Sequence, residues 1–92
     1  MKDNFKLASV DEIHKYIIEK VKPGDEIGLS LGRCYVPGTI VTNNNGVLQI
    51  DVRGESVKGL SSIDVNDLKD FLVEVKHKSD DGVYILEAID NE

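Results

Sequence analysis

Tryptophan is absent, and cysteine and methionine occur once each among the 92 residues. A lone Cys34 closes no internal disulfide and has no second cysteine with which to build a metal knuckle. No covalent staple holds the fold, and nothing marks an oxidising compartment. Cys34 is read as a small core residue. The aromatic supply is Phe5, Tyr16, Tyr35, Phe71 and Tyr84, too few to converge as a cage around a methylated cation. No apolar run approaches the roughly 20 residues that a membrane-spanning helix needs. Met1-Lys2-Asp3-Asn4 opens no signal-peptide pattern. The expectation is a soluble, cytoplasmic protein with no membrane partner.

Reactive chemistry is scarce too. Transition-metal sites need several Cys, His or carboxylate ligands at workable spacing, and the only histidines, His14 and His77, are far apart in sequence. Asp64, Asp67 and Asp70 recur every third residue but lack the glycine and terminal glutamate of a calcium loop. They are read as a cap and solvated acids. His77 is read as a strand-end residue with a satisfied hydrogen bond, and His14 as a helix-surface residue. No G-x-S-x-G, Cys/His pair, P-loop or G-x-G-x-x-G is present. The chain is therefore expected to be no enzyme, with no catalytic residue, no cofactor and no bound metal.

Positive charge is in deficit: 11 Lys and Arg stand against 17 Asp and Glu, a formal net charge of −6. The imbalance sits in the C-terminal third, because residues 61–92 hold three Lys against nine acids while residues 1–24 hold five Lys against four. Affinity for nucleic acid rests on cations that neutralise phosphates, so this balance disfavours a generic nucleic-acid binder.

What the sequence does contain is clear periodicity. Ser9-Val10-Asp11-Glu12 has the form of a capping box. Val10, Ile13, Ile17 and Val21 then follow at helical spacing, and Pro23-Gly24 ends the pattern. A helix is expected over about 10–22. From Glu26 the period becomes two, with Ile27, Leu29 and Leu31 on one face. Gly32-Arg33 offers a type II′ hairpin loop, which sets Leu31 against Cys34, Leu29 against Val36 and Ile27 against Gly38.

Pro37-Gly38 marks a bend or bulge, and Asn43-Asn44-Asn45-Gly46 supplies a turn. Further strands are expected at Val47–Val52, around Ser56–Leu60, at Phe71–His77 and at Val83–Ile89, with a helical or 3₁₀ turn at Asp64–Asp70. Asp81-Gly82 reads as a tight turn that pairs Lys76 with Glu87 and Val75 with Ala88; the longer loop that would oppose Glu74 and Glu87 is disfavoured by like charge. The first few residues and Asp90-Asn91-Glu92 read as frayed ends.

The helix, the Pro-Gly turn and the run I-x-L-x-L-G-R-x-Y-x-x-G-x-I from Ile27 to Ile40, followed by L-x-I-x-V from Leu48 to Val52, resemble the first half of the Sm-like and SH3-like small barrels. The resemblance covers about residues 9–52, with Gly32 and Gly38 at the positions where Sm-like proteins turn and bend their first strands. The turn at 64–70 before a later strand is similar to SH3-like barrels. What the resemblance implies is a single α+β domain over 1–92, with an N-terminal helix and a five- to six-stranded, antiparallel, strongly bent small β-barrel over about 26–89. It also implies, through the Sm-like families, an RNA-binding oligomer.

By parity Arg33 and Tyr35 point away from the core, and Asn43, Asn44 and Arg53 lie on the next turns. Outward Arg and Tyr are the residue types enriched at interface hot spots. These five are the candidate partner-binding residues. The leading reading is a non-catalytic binding module, a small accessory or regulatory protein acting through protein contacts or self-association at a strand edge. Its Asn, Asp, Ile and Lys richness leaves room for a phage-type inhibitor. The alternatives are the Sm-like RNA-binding oligomer and a protein that sequesters a small ligand or nucleotide.

Overall fold

The Ser9 hydroxyl accepts from the Glu12 amide at 3.1 Å, and the Ser9 amide donates to the Glu12 carboxylate at 2.9 Å. This reciprocal cap satisfies two orphan donors at the helix start and holds the Glu12 carboxyl below its ordinary value. The computed structural model describes residues 3–32, 34–54, 58–68 and 71–89. Its elements are β1 (Asp3–Ala8), α1 (Val10–Lys20), β2 (Glu26–Leu31), β3 (Cys34–Asn44), β4 (Val47–Arg53), β5 (Lys58–Asp64), a 3₁₀ turn (Val65–Leu68), β6 (Glu74–Ser79) and β7 (Gly82–Ala88). The helix leaves α geometry at Val21, whose ψ is 124°, just ahead of the Pro23-Gly24 stop.

All seven strands form one sheet in the order β1-β7-β6-β2-β3-β4-β5. The molecule is a small α+β domain, but the expected closed antiparallel barrel is replaced by an open, mixed sheet. β1, which falls on residues read as a frayed end, pairs in parallel with β7 from Asp3 opposite Val83 to Ala8 opposite Ala88. The open form follows from where the N-terminal strand pairs. β1 takes the edge of β7 that closure onto β5 would need, and α1 contacts β1, β7 and the 3₁₀ turn.

One face of the curled sheet buries Ile27, Leu29, Ile40, Leu48, Ile50, Val52, Val75 and Leu86 against Ile13 and Ile17 of α1. Each such side chain contributes about 1.5–3 kcal/mol by leaving water. The β2–β3 register is the expected one, with Leu31 opposite Cys34, Leu29 opposite Val36 and Ile27 opposite Gly38. Cys34 itself is exposed, because the hairpin tip runs beyond the reach of α1. Pro37 and Gly38 stay within the ladder, and the register shift falls instead between Ile40 and Thr42. That bulge is anchored from below: the Gly24 amide donates to the Ile40 carbonyl and the Ile40 amide to the Asp25 carbonyl, both at 2.8 Å. Asn45 and Gly46, at φ 55° and 95°, make the tight turn into β4 that the asparagine run foretold.

The last hairpin departs from expectation. Ser79 pairs with Gly82, so Asp80 and Asp81 form the loop, Val75 faces Leu86 in place of Ala88, and Lys76 faces Ile85 in place of Glu87. This register sets buried Val75 against buried Leu86 and Tyr84 against His77, whose rings stack; the other register, shifted by two residues, would exchange these contacts for one surface ion pair of little worth. Of the expected strand around Ser56–Leu60, residues 56 and 57 lie outside the described residues, and β5 extends to Asp64. Strand β6 begins at Glu74, three residues later than expected. The 3₁₀ turn is described over Val65–Leu68; Asp64 caps it by accepting from the Asn66 amide at 2.9 Å, and residues 69 and 70 of the expected Asp64–Asp70 turn lie outside the described residues.

Candidate functional site

Because strand residues alternate between faces, the sheet surface away from α1 is set by the same register that builds the core. Glu26 and Gly28 of β2, Tyr35, Pro37 and Thr39 of β3, Arg53 of β4, and Lys76 and Lys78 of β6 all fall there. Their side chains line an open groove of about 530 Å³. A shallower depression beside it adds Lys58 and Asp51 around Arg53. The groove therefore gathers three cations and one carboxylate on a chain whose formal net charge is −6.

The groove floor depends on a missing side chain. A β-carbon at Gly28 would stand 2.9 and 3.1 Å from Cζ and Cε1 of Tyr35, so the ring rests where the glycine leaves room. Tyr35 nevertheless remains 58% exposed. Arg53 reaches Asp51 on its own strand at 3.3 Å, a solvent-screened contact worth little. Among the described residues, no carboxylate lies within ion-pair distance of Lys76 or Lys78. Lys76 is opposite Ile85 and Gly28, with no acid directly across either neighbouring strand, whereas Lys78 is opposite Val83 and Glu26.

Of the five residues picked from sequence, the structure brings Tyr35 and Arg53 together in this groove. Arg33 lies outside the described residues. Asn43 faces inward: its amide nitrogen donates to the carbonyls of Ile17 at 2.9 Å and Val21 at 2.6 Å, and its oxygen accepts from the Gly46 amide at 3.1 Å. It ties the end of α1 to the β3–β4 turn. Asn44 is exposed at that turn, opposite Val47, remote in the sheet from Tyr35. Lys76 and Lys78 were missed because the expected register neutralised Lys76 with Glu87; the alternation of Lys76, His77 and Lys78 was the available signal.

A second cluster lies on the inner face. His77 is 2% exposed, with Nδ1 2.6 Å from the Tyr16 hydroxyl and Nε2 2.7 Å from Asp25 Oδ2. One tautomer serves both contacts: Nε2–H donates to the carboxylate, and Nδ1 accepts from the phenol. The same carboxylate oxygen accepts from the Lys22 amide at 3.0 Å. Tyr84 stacks on the imidazole at 6.2 Å between ring centroids, and Tyr16 meets it edge-on at 5.6 Å. Burial pushes the Tyr16 phenol up to about 12, with Tyr84 and Asp25 adding to the shift. The array links α1, the 22–25 turn, β6 and β7. His14, expected at the helix surface, is half-buried, and its Nε2 is enclosed with no hydrogen-bond partner among the described residues. Among the described residues, no three His, Cys, Asp or Glu side chains are grouped to hold a metal ion, and no helix is long and apolar enough to cross a membrane.

The model of a family described as an uncharacterized protein conserved in archaea, DUF2097, matches residues 4–87. The chain belongs to this family. The DUF2097 match runs from within β1 into β7 and so takes in both the outer groove and the inner array. The family is described as archaeal, whereas the Asn, Asp, Ile and Lys richness had left room for a phage-type inhibitor. No curated protein and no solved structure matches the chain.

Proposed function

We propose that this protein is a non-catalytic binding module that acts through protein contacts, accepting an extended strand of a partner along β1. The observation that carries this reading is the edge itself. β1 ends the sheet and pairs only with β7 among the described residues, so the outer backbone edge of a six-residue strand is open. On its outward face stand Phe5 and Leu7, 59% and 58% exposed, beside half-buried Ile85. Exposed Ile89 extends this strip, its amide donating to Ala8 at 2.8 Å.

Natural proteins guard such edges with charge, proline or bulges. Here Lys6 is the one charge in the middle of the strand, and it lies on the opposite face from Phe5 and Leu7. Strand addition gives a partner main-chain hydrogen bonds for affinity and alternate side chains for specificity. The absence of catalysis is part of the proposal; what favours it is that the one imidazole aligned with a carboxylate is buried, with both nitrogens engaged. The Sm-like alternative, an RNA-binding oligomer on a closed barrel, gains no support from an open mixed sheet.

The test compares the wild type with Phe5→Lys/Leu7→Lys by affinity capture from the source cell and by light scattering. Retention of a partner or of self-association by the wild type, lost in the double variant with melting unchanged, is the expected result. Equal capture by both proteins removes the edge as the site.

A further inference from the structure

We propose that the outer-face groove is a binding site for a small phosphorylated ligand carrying a planar ring, a mononucleotide or a molecule of that class. This is separate from strand addition at β1 and uses different residues. The volume of about 530 Å³ falls within the usual span for small-molecule sites.

The two halves of such a ligand each find a matching surface. Lys76 and Lys78 stand on the same face of β6, two residues apart; Glu26 lies directly across from Lys78, but no described carboxylate is within ion-pair distance of either lysine, and they supply point charges for a phosphate. Tyr35 stands on β3, two strand spacings or about 10 Å away, with one side of its ring resting at Gly28 and the rest open. An aromatic ring held this way is a platform for a heterocycle, which stacks without regard to base identity. Arg53 closes the far side with a planar guanidinium able to stack on a ring or bind a phosphate in bidentate fashion. Thr39 and Glu26, opposite one another in the β2–β3 ladder and both lining the groove, can hydrogen-bond sugar hydroxyls or ring amino groups.

The charge distribution argues for a small ligand over a polymer. A polynucleotide experiences the whole surface, where acids outnumber cations by 17 to 11, whereas a single nucleotide experiences chiefly the groove.

Titration calorimetry with the full chain tests the proposal, using AMP, ATP, adenosine and inorganic phosphate as separate probes and a single-stranded oligoadenylate as the fifth. The expected result is saturable binding of AMP or ATP, with adenosine and phosphate each weaker by at least about tenfold. Tyr35→Ala should weaken nucleotide binding by at least about fivefold, and Lys76→Ala/Lys78→Ala by about tenfold or more, with thermal melting unchanged in both because the side chains are exposed. No saturable binding of any mononucleotide overturns the proposal. So does binding that survives both variants, and so does an oligoadenylate that binds more tightly with each added nucleotide, which would assign the groove to a polymer.

Discussion

Glu74 stands directly across from Glu87 in the β6–β7 ladder. Two carboxylates at one cross-strand position repel, and the pair persists because the register that separates them, shifted by two residues, would set Val75 against Ala88 and take Tyr84 off His77. Replacing one partner should relieve the repulsion without touching the core. Glu87→Lys is expected to stabilise the protein by about 0.2–1 kcal/mol, read as a raised urea midpoint with an unchanged slope. The gain should shrink at high salt. A lowered midpoint would mean that the two side chains avoid one another and that the register carries no electrostatic cost.

Asn43 does the work of a C-terminal cap from a different strand. Its amide nitrogen serves two carbonyls at the end of α1 and its oxygen serves the Gly46 amide. Asn43→Ala should cost about 1–3 kcal/mol, because half-buried carbonyls lose their donor. Asn43→Asp separates the roles: the carboxylate still accepts from Gly46 but presents negative charge to the helix C-terminus, where the macrodipole disfavours it. Urea unfolding of the two variants checks this, and an aspartate as stable as wild type would show that the carbonyl contacts contribute nothing.

Tyr16 makes alkaline stability diagnostic. Its folded-state pKa of about 12 exceeds the ordinary value of 10.0, so the folded protein holds this proton more tightly than the unfolded chain. The corresponding stability is fully present below pH 10 and is lost as pH rises through about 12. Tyr16→Phe should lack this step in the stability profile, although at neutral pH it is destabilised by about 1–3 kcal/mol because Nδ1 of His77 loses its donor. Denaturant melts at a series of pH values from neutral to strongly alkaline measure both effects. The same alkaline step in wild type and variant would place the titration elsewhere.

Local signals in the chain carried much of this fold. The Ser9–Glu12 capping box, the Leu29–Val36 register and the Asn45-Gly46 turn all rest on contacts within a few residues or on side-chain alternation, and these are legible in one sequence. β1 was not, because Asp3–Ala8 becomes a strand only by pairing with β7, almost the whole chain length away. The β6–β7 register differs from expectation for a related reason: the His77–Tyr84 stack that fits the observed register belongs to an array with Tyr16 and Asp25, which the hairpin alone does not show. Within the candidate site, the outward parity of Tyr35 was readable. The convergence of Lys76 and Lys78 on it was not, since β6 lies beside β2 through a long-range pairing.

Gly28 is where sheet register, groove shape and ring position meet. A β-carbon there would collide with the far end of the Tyr35 side chain, and a ring on two soft torsions can swing away more cheaply than backbone can move. Alanine also restricts the unfolded chain more than glycine does. Gly28→Ala should therefore leave stability unchanged or raise it by up to about 1 kcal/mol, while it displaces the Tyr35 ring. The displacement is measurable as changed aromatic proton shifts for Tyr35, with the Tyr16 and Tyr84 signals of the inner array unmoved. Loss of stability beyond about 1 kcal/mol would instead mean that β2 and β3 are packed too closely at this point for any side chain, and that Tyr35 is held by the strands and not merely admitted by the glycine.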